Sequence, residues 1–379
     1  MARLQPRHFL ARLWAFVHRV DDSSVFIRTR LSFRPATVEV PAVEPPRPLA
    51  PAPPALSIWA VSDGRPSVQD QALGLAEAIA RLTPAHITPK SIRWRDPGFG
   101  RKPTWLQFEP RKQLAEGADD FEGPWPDLFI GAGRAALPFA LRMKRWSKGA
   151  TFVVQAQDPR WPPHLFDAVI PPRHDKVRGP NVIEITGAAH RVTPQALKAA
   201  YDAAFETFES LPRPRVAVLI GGGTKRFDIS PERAQRLAAE IALAVESEGG
   251  SVMLAFTPQT PEPARDLLTA RLRRLPSVVW DGQGADPHVG FLAAADYVLV
   301  SEDAVGLASE AGATGAPVFI LKIDGLDLGR RRFHDELEKL DVARPFGGQL
   351  YRWSYEPLNE TDRAAARILR RYRDRETAG

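Results

Sequence analysis

Val216-Ala217-Val218-Leu219-Ile220 runs directly into Gly221-Gly222-Gly223-Thr224. An uninterrupted apolar run rich in β-branched residues reads as a strand buried on both faces of a parallel sheet. Glycines at its carboxyl end let the chain turn sharply and let an anion reach the backbone amides with no Cβ in the way. Ser230-Pro231-Glu232-Arg233 follows as a capped helix start, with Pro231 at the first helical position. Strand, glycine turn and helix in that order predict an α/β fold and a phosphate-binding turn. Such turns also arise for steric reasons alone, so their company decides between the two readings.

That company is an alternation of strand and helix patterns on both sides. Upstream, strands are expected at Leu56–Val61, Asp127–Gly131, Thr151–Gln155, Ala168–Ile170 and Asn181–Ile185. Helices are expected at Val68–Arg81 and Arg134–Trp146, where Pro138 is tolerable only near the first turn. Trp94–Pro126 reads as loops, Thr193–Glu209 as one helix, and Leu211-Pro212-Arg213-Pro214 as a hinge. Downstream, strands at Ser251–Phe256, Ser277–Trp280, Tyr297–Val300 and Pro317–Leu321 alternate with helices at Pro231–Glu246, Glu262–Arg273, Val289–Ala295, Val305–Gly312 and Arg330–Leu340. A last amphipathic helix is expected at Glu360–Arg373. The two series predict two Rossmann-like parallel-sheet domains facing a cleft, residues 56–211 and 212–355, followed by a C-terminal helix in 356–379. Ligands of such sheets bind beyond the carboxyl ends of the strands.

Composition narrows the chemistry. The 379 residues are 44% hydrophobic and 25% charged, as in a globular protein, and contain no cysteine. Disulfides, thiolate metal sites and cysteine nucleophiles are excluded, and a reducing, cytoplasmic setting is expected. A net charge of +6, with a pI near 9.7, suits anionic partners. No nucleic-acid-binding signature is present, and no Gly-x-x-x-x-Gly-Lys-Ser/Thr loop marks an NTPase of that class. No paired histidines have ligand spacing on a helix, so no metal is expected.

No stretch is apolar enough to span a bilayer. In residues 1–34, however, Phe9, Leu10, Leu13, Trp14, Phe16, Val17 and Val20 recur at helical spacing among Arg7, Arg12 and Arg19. This amphipathic segment is a helix for a membrane interface or one that docks on the protein body. Arginines interrupt it and no small-residue cleavage site follows, so a cleaved leader is not expected. Residues 35–55, rich in proline, read as a tether.

A second motif joins the glycine turn. Ala295–Val300 leads into Ser301-Glu302-Asp303, then Ser309-Glu310-Ala311-Gly312-Ala313-Thr314-Gly315-Ala316-Pro317. Donors near Ser301 can face a diphosphate, and Glu310 can accept from two ribose hydroxyls. The plain structural alternative makes Ser301 a helix cap and Glu310 a solvated surface acid. Beside Gly221, Gly222, Gly223 and Thr224, the nucleotide reading is the stronger.

The second half resembles the nucleotide-sugar-binding domain of two-domain glycosyltransferases of the B fold, whose ribose-binding segment the pattern from Ser309 to Pro317 matches. Leu56 to about Trp353 more particularly resembles bacterial relatives of the plant mitochondrial-fission (elongated-mitochondria) family, grouped with the glycosyltransferases. The residues that carry this are Trp59–Pro66, Gln69-Asp70-Gln71, Gly131-Ala132-Gly133-Arg134, Gln155–Arg160, the glycine turn and Ser301-Glu302-Asp303. The chain departs from its relatives at Thr257-Pro258-Gln259-Thr260-Pro261, where they tend to be basic; Arg265 comes only later.

The resemblance implies a nucleotide-diphosphate sugar as donor, bound by the second domain without metal or other cofactor, and an acceptor held by the first. Transfer needs a base for the acceptor hydroxyl, and Asp63, beside Gly64 on the turn after the first strand, is the candidate; its alternative is an ordinary turn or cap residue. Arg134 could meet the acceptor or the leaving phosphate, with Gly131, Gly133, Gln155, Gln157 and Asp158 lining neighbouring strand ends. His174, Asp175 and His190 are further candidate bases, each in a polar loop. Lys225 and Arg226 stand where charge would build on a departing diphosphate. Arg330-Arg331-Arg332, with His334, opens a helix whose dipole they oppose, which suggests an anionic partner or neighbouring acids that serve equally. The basic surface and apolar amino terminus point to a lipid-linked or envelope-associated acceptor on an acidic membrane face. Two rivals stand beside a transferase: a nucleotide-sugar epimerase of the same fold, and a non-catalytic membrane-associated adaptor.

Overall fold

The uncharged runs become the buried strands of two parallel sheets in the computed structural model, which describes residues 54–96, 108–224 and 226–378. The amphipathic segment, nearly all of the tether and Lys225 lie outside these residues. In the first lobe, β1 (Leu56–Ser62), β2 (Ala85–Ser91), β3 (Leu128–Ala132), β4 (Phe152–Ala156) and β5 (Ala168–Ile170) form one sheet in the order β2-β1-β3-β4-β5. Alternation along β1 divides the core. Ile58 and Ala60 meet α1 (Pro66–Ala80), while Trp59 and Val61 face the side of α2 (Leu137–Trp146). Pro138 sits in the first turn of α2, as expected.

The second sheet comprises β6 (Arg215–Ile220), β8 (Ser251–Phe256), β9 (Ser277–Val279), β10 (Tyr297–Ser301), β11 (Val318–Leu321) and β13 (Ala343–Pro345). Its order, β13-β11-β10-β6-β8-β9, reverses direction between β6 and β10. A small antiparallel pair, β7 (Phe227–Asp228) with β12 (Asp324–Gly325), sits beyond the strand ends. The helices are α3 (Pro194–Ala203), α4 (Phe205–Glu209), α5 (Pro231–Ser247), α6 (Glu262–Leu272), α7 (His288–Ala294), α8 (Val305–Gly312), α9 (Leu328–Lys339) and α10 (Glu360–Ala378). Ser230 caps α5 by accepting from the Arg233 amide at 3.2 Å, with Pro231 in the first turn.

Several expectations change. β2, β7, β12 and β13 have no counterpart in the sequence reading. β2 is a polar edge strand carrying Pro89, which an edge tolerates because that side makes no ladder. Asn181–Ile185 makes only isolated bridges at Val182 and Ile185. Thr193–Glu209 is two helices, broken at Ala204. Within Trp94–Pro126, a short 3-10 turn at Pro110–Gln113 and a Trp94–Leu114 bridge interrupt the loop.

The hinge also moves. Phe208 is buried against Phe291, with Leu197 and Tyr201 packed on the same core, so α3 and α4 belong to the second lobe. Buried Arg215 donates to Glu209 at 2.8 Å and ties this helical pair to the start of β6. Leu211–Pro214 therefore lies inside the second lobe, and the chain passes between lobes at residues 186–192. It returns at residues 358–361 so that α10 packs on α1, burying Ala364, Ala365, Ile368 and Leu369 in the first lobe's core. Ile368 and Leu369 each contribute about 1.5–3 kcal/mol of burial. The two passes touch where the Thr186 amide donates to Glu360 at 2.5 Å and the His190 amide to Thr361 at 3.1 Å.

Candidate functional site

The reversal between β6 and β10 opens a crevice at their carboxyl ends, and both predicted motifs meet there. The Gly221 amide donates to Ser301 Oγ at 2.7 Å and the Gly222 amide to Asp303 Oδ2 at 2.6 Å. Ser301 in turn donates to Asp303 Oδ1 at 2.7 Å. A Cβ on Gly221 would lie 2.7 Å from the Asp303 carboxylate, so the close approach requires glycine. The anion held at this turn, by the Gly222 amide and the Ser301 hydroxyl, is the protein's own. This corrects the expectation that Gly221, Gly222 and Ser301 present donors to a diphosphate: the Gly221 amide is spent on Ser301, and the Gly222 amide and Ser301 hydroxyl on Asp303, which is itself buried.

The neighbouring predicted residues are likewise engaged. Glu302 accepts from the Ile323 amide at 2.8 Å, and its carbonyl bonds His334 Nε2 at 2.8 Å. Thr224 Oγ1 accepts from the Phe227 amide at 3.0 Å and closes the turn into β7. Gly223 passes against the Gln259 carbonyl, and Thr260 donates to the Gly221 carbonyl at 2.6 Å. The 257–261 loop thus buttresses the glycine turn. Arg265 Nη2 donates to the Thr257 carbonyl at 2.9 Å and braces that loop. Arg330 Nε donates to the Asp303 carbonyl at 2.9 Å, and its guanidinium lies 3.4 Å from Asp327. Asp327, which also pairs with Arg226, caps α9 through the Gly329 and Arg330 amides. This cap explains how the Arg330–Arg332 run is accommodated at a helix start.

What stands open is the amino end of α8. No side chain caps it, and a Cβ on Gly306 would meet nothing within 4 Å among the described residues. Glu310 follows four residues later, on the same face of the helix. Its carboxylate lies 3.2 Å from His288 Nε2 at the start of α7. Ser309 points elsewhere: Oγ accepts from the Ala188 amide at 2.9 Å and donates to the Val305 carbonyl at 2.7 Å, fastening α8 to the inter-lobe passage.

The first lobe brings Asp70, in the first turns of α1, toward this cluster. Burial raises its pKa, Glu310 raises it further, and Arg191, 3.6 Å away, opposes both. Asp63 is held differently. Oδ1 accepts from the Arg65 amide at 3.3 Å and Oδ2 from Arg65 Nε at 2.9 Å. Asp158 repeats that turn with Arg160 at the end of β4. Gly131 lies near the carboxyl end of β3, and Gly64, Gly133 and exposed Arg134 lie just beyond the ends of β1 and β3. Gln157 donates to Gln71 at 3.0 Å, while Gln155 is buried and ties β4 to the Gly133 carbonyl at 3.3 Å.

The alternative bases are less suited. Burial, then Arg330 and Arg332, lowers His174 to about 4, and burial lowers His190; both lie at lobe contacts. A groove of about 670 Å³ lies at the opposite, amino-terminal edge of the second sheet beside Tyr201, Asp296 and Trp353, away from these residues. Among the described residues, no group of three or more His, Asp or Glu could hold a metal, and no helix is long and apolar enough to cross a membrane.

Comparison places this arrangement in a family. A family model described as mitochondrial fission ELM1 matches residues 66–372. The chain belongs to that family. Mitochondrial fission protein ELM1 of Arabidopsis thaliana is 32% identical over 277 residues, covering 66% of this chain and 65% of the plant protein, just under two thirds of its length. The uncharacterized protein RP120 of Rickettsia prowazekii is 25% identical over 355 residues, covering 82% of this chain and 97% of its own. Among solved structures, UDP-GlcNAc 2-epimerase from Methanocaldococcus jannaschii aligns with a TM-score of 0.53 at 14% identity, covering 83% of this chain and 99% of that one. The same enzyme in complex with UDP-GlcNAc and UDP aligns with a TM-score of 0.50 at 15% identity, with the same coverage. The fold of this ELM1-family chain is therefore the glycosyltransferase B fold. Sequence reading missed His288, one residue ahead of the expected helix, and Gly306, and it quoted Asp70 without giving it a role. The signal for Gly306 was its place four residues before Glu310.

Proposed function

We propose that this protein binds a nucleoside-diphosphate sugar at α8 of the second lobe and transfers the sugar to an acceptor held by the first. The observation that carries the proposal is the shared face of Gly306 and Glu310 at the β6/β10 crevice, with Asp70 of the opposite lobe turned toward it. Beyond Val305, whose N–H donates to the Asp303 carbonyl at 3.2 Å, the amino end of α8 has no side-chain cap and suits the diphosphate, since that helix end carries partial positive charge. Glu310 suits the ribose hydroxyls, as an acceptor for two donors. A neighbour of the same fold is known in complex with UDP-GlcNAc and UDP, which supports a nucleotide sugar as the ligand class.

Among first-lobe carboxylates, Asp70 suits proton abstraction better than Asp63. A base works best when its pKa approaches neutrality, and burial moves Asp70 in that direction. Both Asp63 oxygens are tied to Arg65. Exposed Arg134 is assigned to the acceptor's anionic groups or the leaving phosphate. A net charge of +6 supports an acceptor on an acidic lipid surface.

The test is a thermal-shift panel of uridine, guanosine, cytidine and adenosine diphosphates and their sugar conjugates. Stabilisation by one base, lost in Glu310→Ala, is expected; no shift with any of them overturns the donor site. Product analysis then separates transfer from epimerisation, which consumes no acceptor, and from binding without turnover, as an adaptor would show.

A further inference from the structure

Glu310 is gripped from behind. His288 places Nε2 3.2 Å from Glu310 Oε2 and Nδ1 3.1 Å from Asp286 Oδ1. The same Asp286 oxygen accepts from the His288 amide at 3.0 Å, so this carboxylate fixes the backbone of His288 and lies within ion-pair reach of its ring. The His288 and Glu310 side chains are only 19% and 12% exposed. A carboxylate within ion-pair distance of each ring nitrogen favours the charged imidazolium. Burial works against that charge, but the Asp286 and Glu310 carboxylates outweigh it and raise the pKa to about 10.

The surroundings add to the demand for such a cation. Asp70 from α1 faces Glu310, and Arg191 bridges Asp70 and Glu77 at 3.6 and 2.7 Å. Buried His190 also feels Glu310 and Asp362. A carboxylate covered by a ligand loses its water, and leaving it unpaired is strongly unfavourable. His288 removes that penalty before any ligand arrives. It also anchors Oε2, leaving Oε1 as the oxygen that a ligand hydroxyl would meet.

We propose that His288, held by Asp286, is the positioning residue of the Glu310 site, fixing that carboxylate to receive the vicinal diol of a nucleoside diphosphate. The ligand class rests on the nucleotide-sugar reading above; the positioning role does not.

Two measurements test it separately. Side-chain ¹⁵N NMR of the ligand-free protein should show His288 protonated on both nitrogens at pH 8, with its titration moving toward neutrality in Glu310→Gln. Ordinary titration of His288 near 6.5 in the wild type overturns the proposal. In calorimetry, His288→Gln should weaken nucleoside diphosphate binding about tenfold while leaving inorganic pyrophosphate unchanged, because pyrophosphate has no diol. His288→Lys, which keeps a cation, should recover part of the loss. Equal weakening of pyrophosphate overturns the positioning role. A doubly protonated His288 in a protein that binds no nucleotide upholds the bridge and overturns the nucleotide reading instead.

Discussion

The backbone amide of Gly222 donates to the carboxylate of Asp303 at 2.6 Å, while the neighbouring Gly221 amide is met by Ser301. A turn shaped to hold an anion thus holds one from its own chain. Two consequences follow: the turn locks β6 to β10, and the amino end of α8, which no side chain caps, is left open beside it.

Asp303→Ala leaves the Gly222 amide buried without an acceptor. The desolvated group should cost about 1–3 kcal/mol, read as reduced stability to urea. Asp303→Asn keeps an acceptor oxygen and should lose less. An alanine variant as stable as the wild type would show that water replaces the carboxylate without penalty.

Gly187 has φ of 73°, and a Cβ there would lie 2.0 Å from Ser309 Oγ. Gly187→Ala should cost roughly 2 kcal/mol or more, from left-handed backbone strain and overpacking together. Adding Ser309→Ala removes the hydroxyl in the way, so the double variant should lose less than the sum of the singles. Strict additivity in denaturation would rule out this contact.

His174 predicts an acid limb. Its folded pKa, about 4, lies below the ordinary value of 6.5 because of burial and the nearby Arg330 and Arg332. The unfolded chain therefore takes up its proton first, and stability present above pH 6.5 is lost progressively as pH falls toward 4. His174→Gln should flatten the stability profile between these values. An unchanged slope would assign the acid sensitivity to other groups.

Gly306→Val should leave folding intact, because the new side chain starts in open space, yet block nucleotide binding. Glu310→Ala, losing a charged acceptor for two hydroxyls, should weaken binding by roughly a hundredfold. Asp70→Asn should spare binding and remove turnover. Binding retained in both second-lobe variants would move the donor site away from α8.

The glycine turn was legible because local chemistry writes it: an apolar run needs a buried strand, and glycines mark where the backbone turns closely. Ser230 and Pro231 announced α5 for the same reason. Edge strand β2 was not legible, since it is polar, carries Pro89 and is selected only by its neighbour β1. The lobe boundary was misplaced because Pro212 and Pro214 look like a hinge locally, whereas the burial of Phe208 against Phe291 is decided across the fold.

By itself, then, the sequence determined two strand–helix series, the glycine turn, and a helix after β10 that carries Glu310. Those features follow from periodicity and backbone freedom, which neighbouring residues set. Only the tertiary structure decided that Asp303 fills the turn, that α10 returns to the first lobe, and that His288 grips Glu310. Each joins residues far apart in the chain, or on separate elements, and such pairings are settled by packing and by the cost of burying charge unpaired.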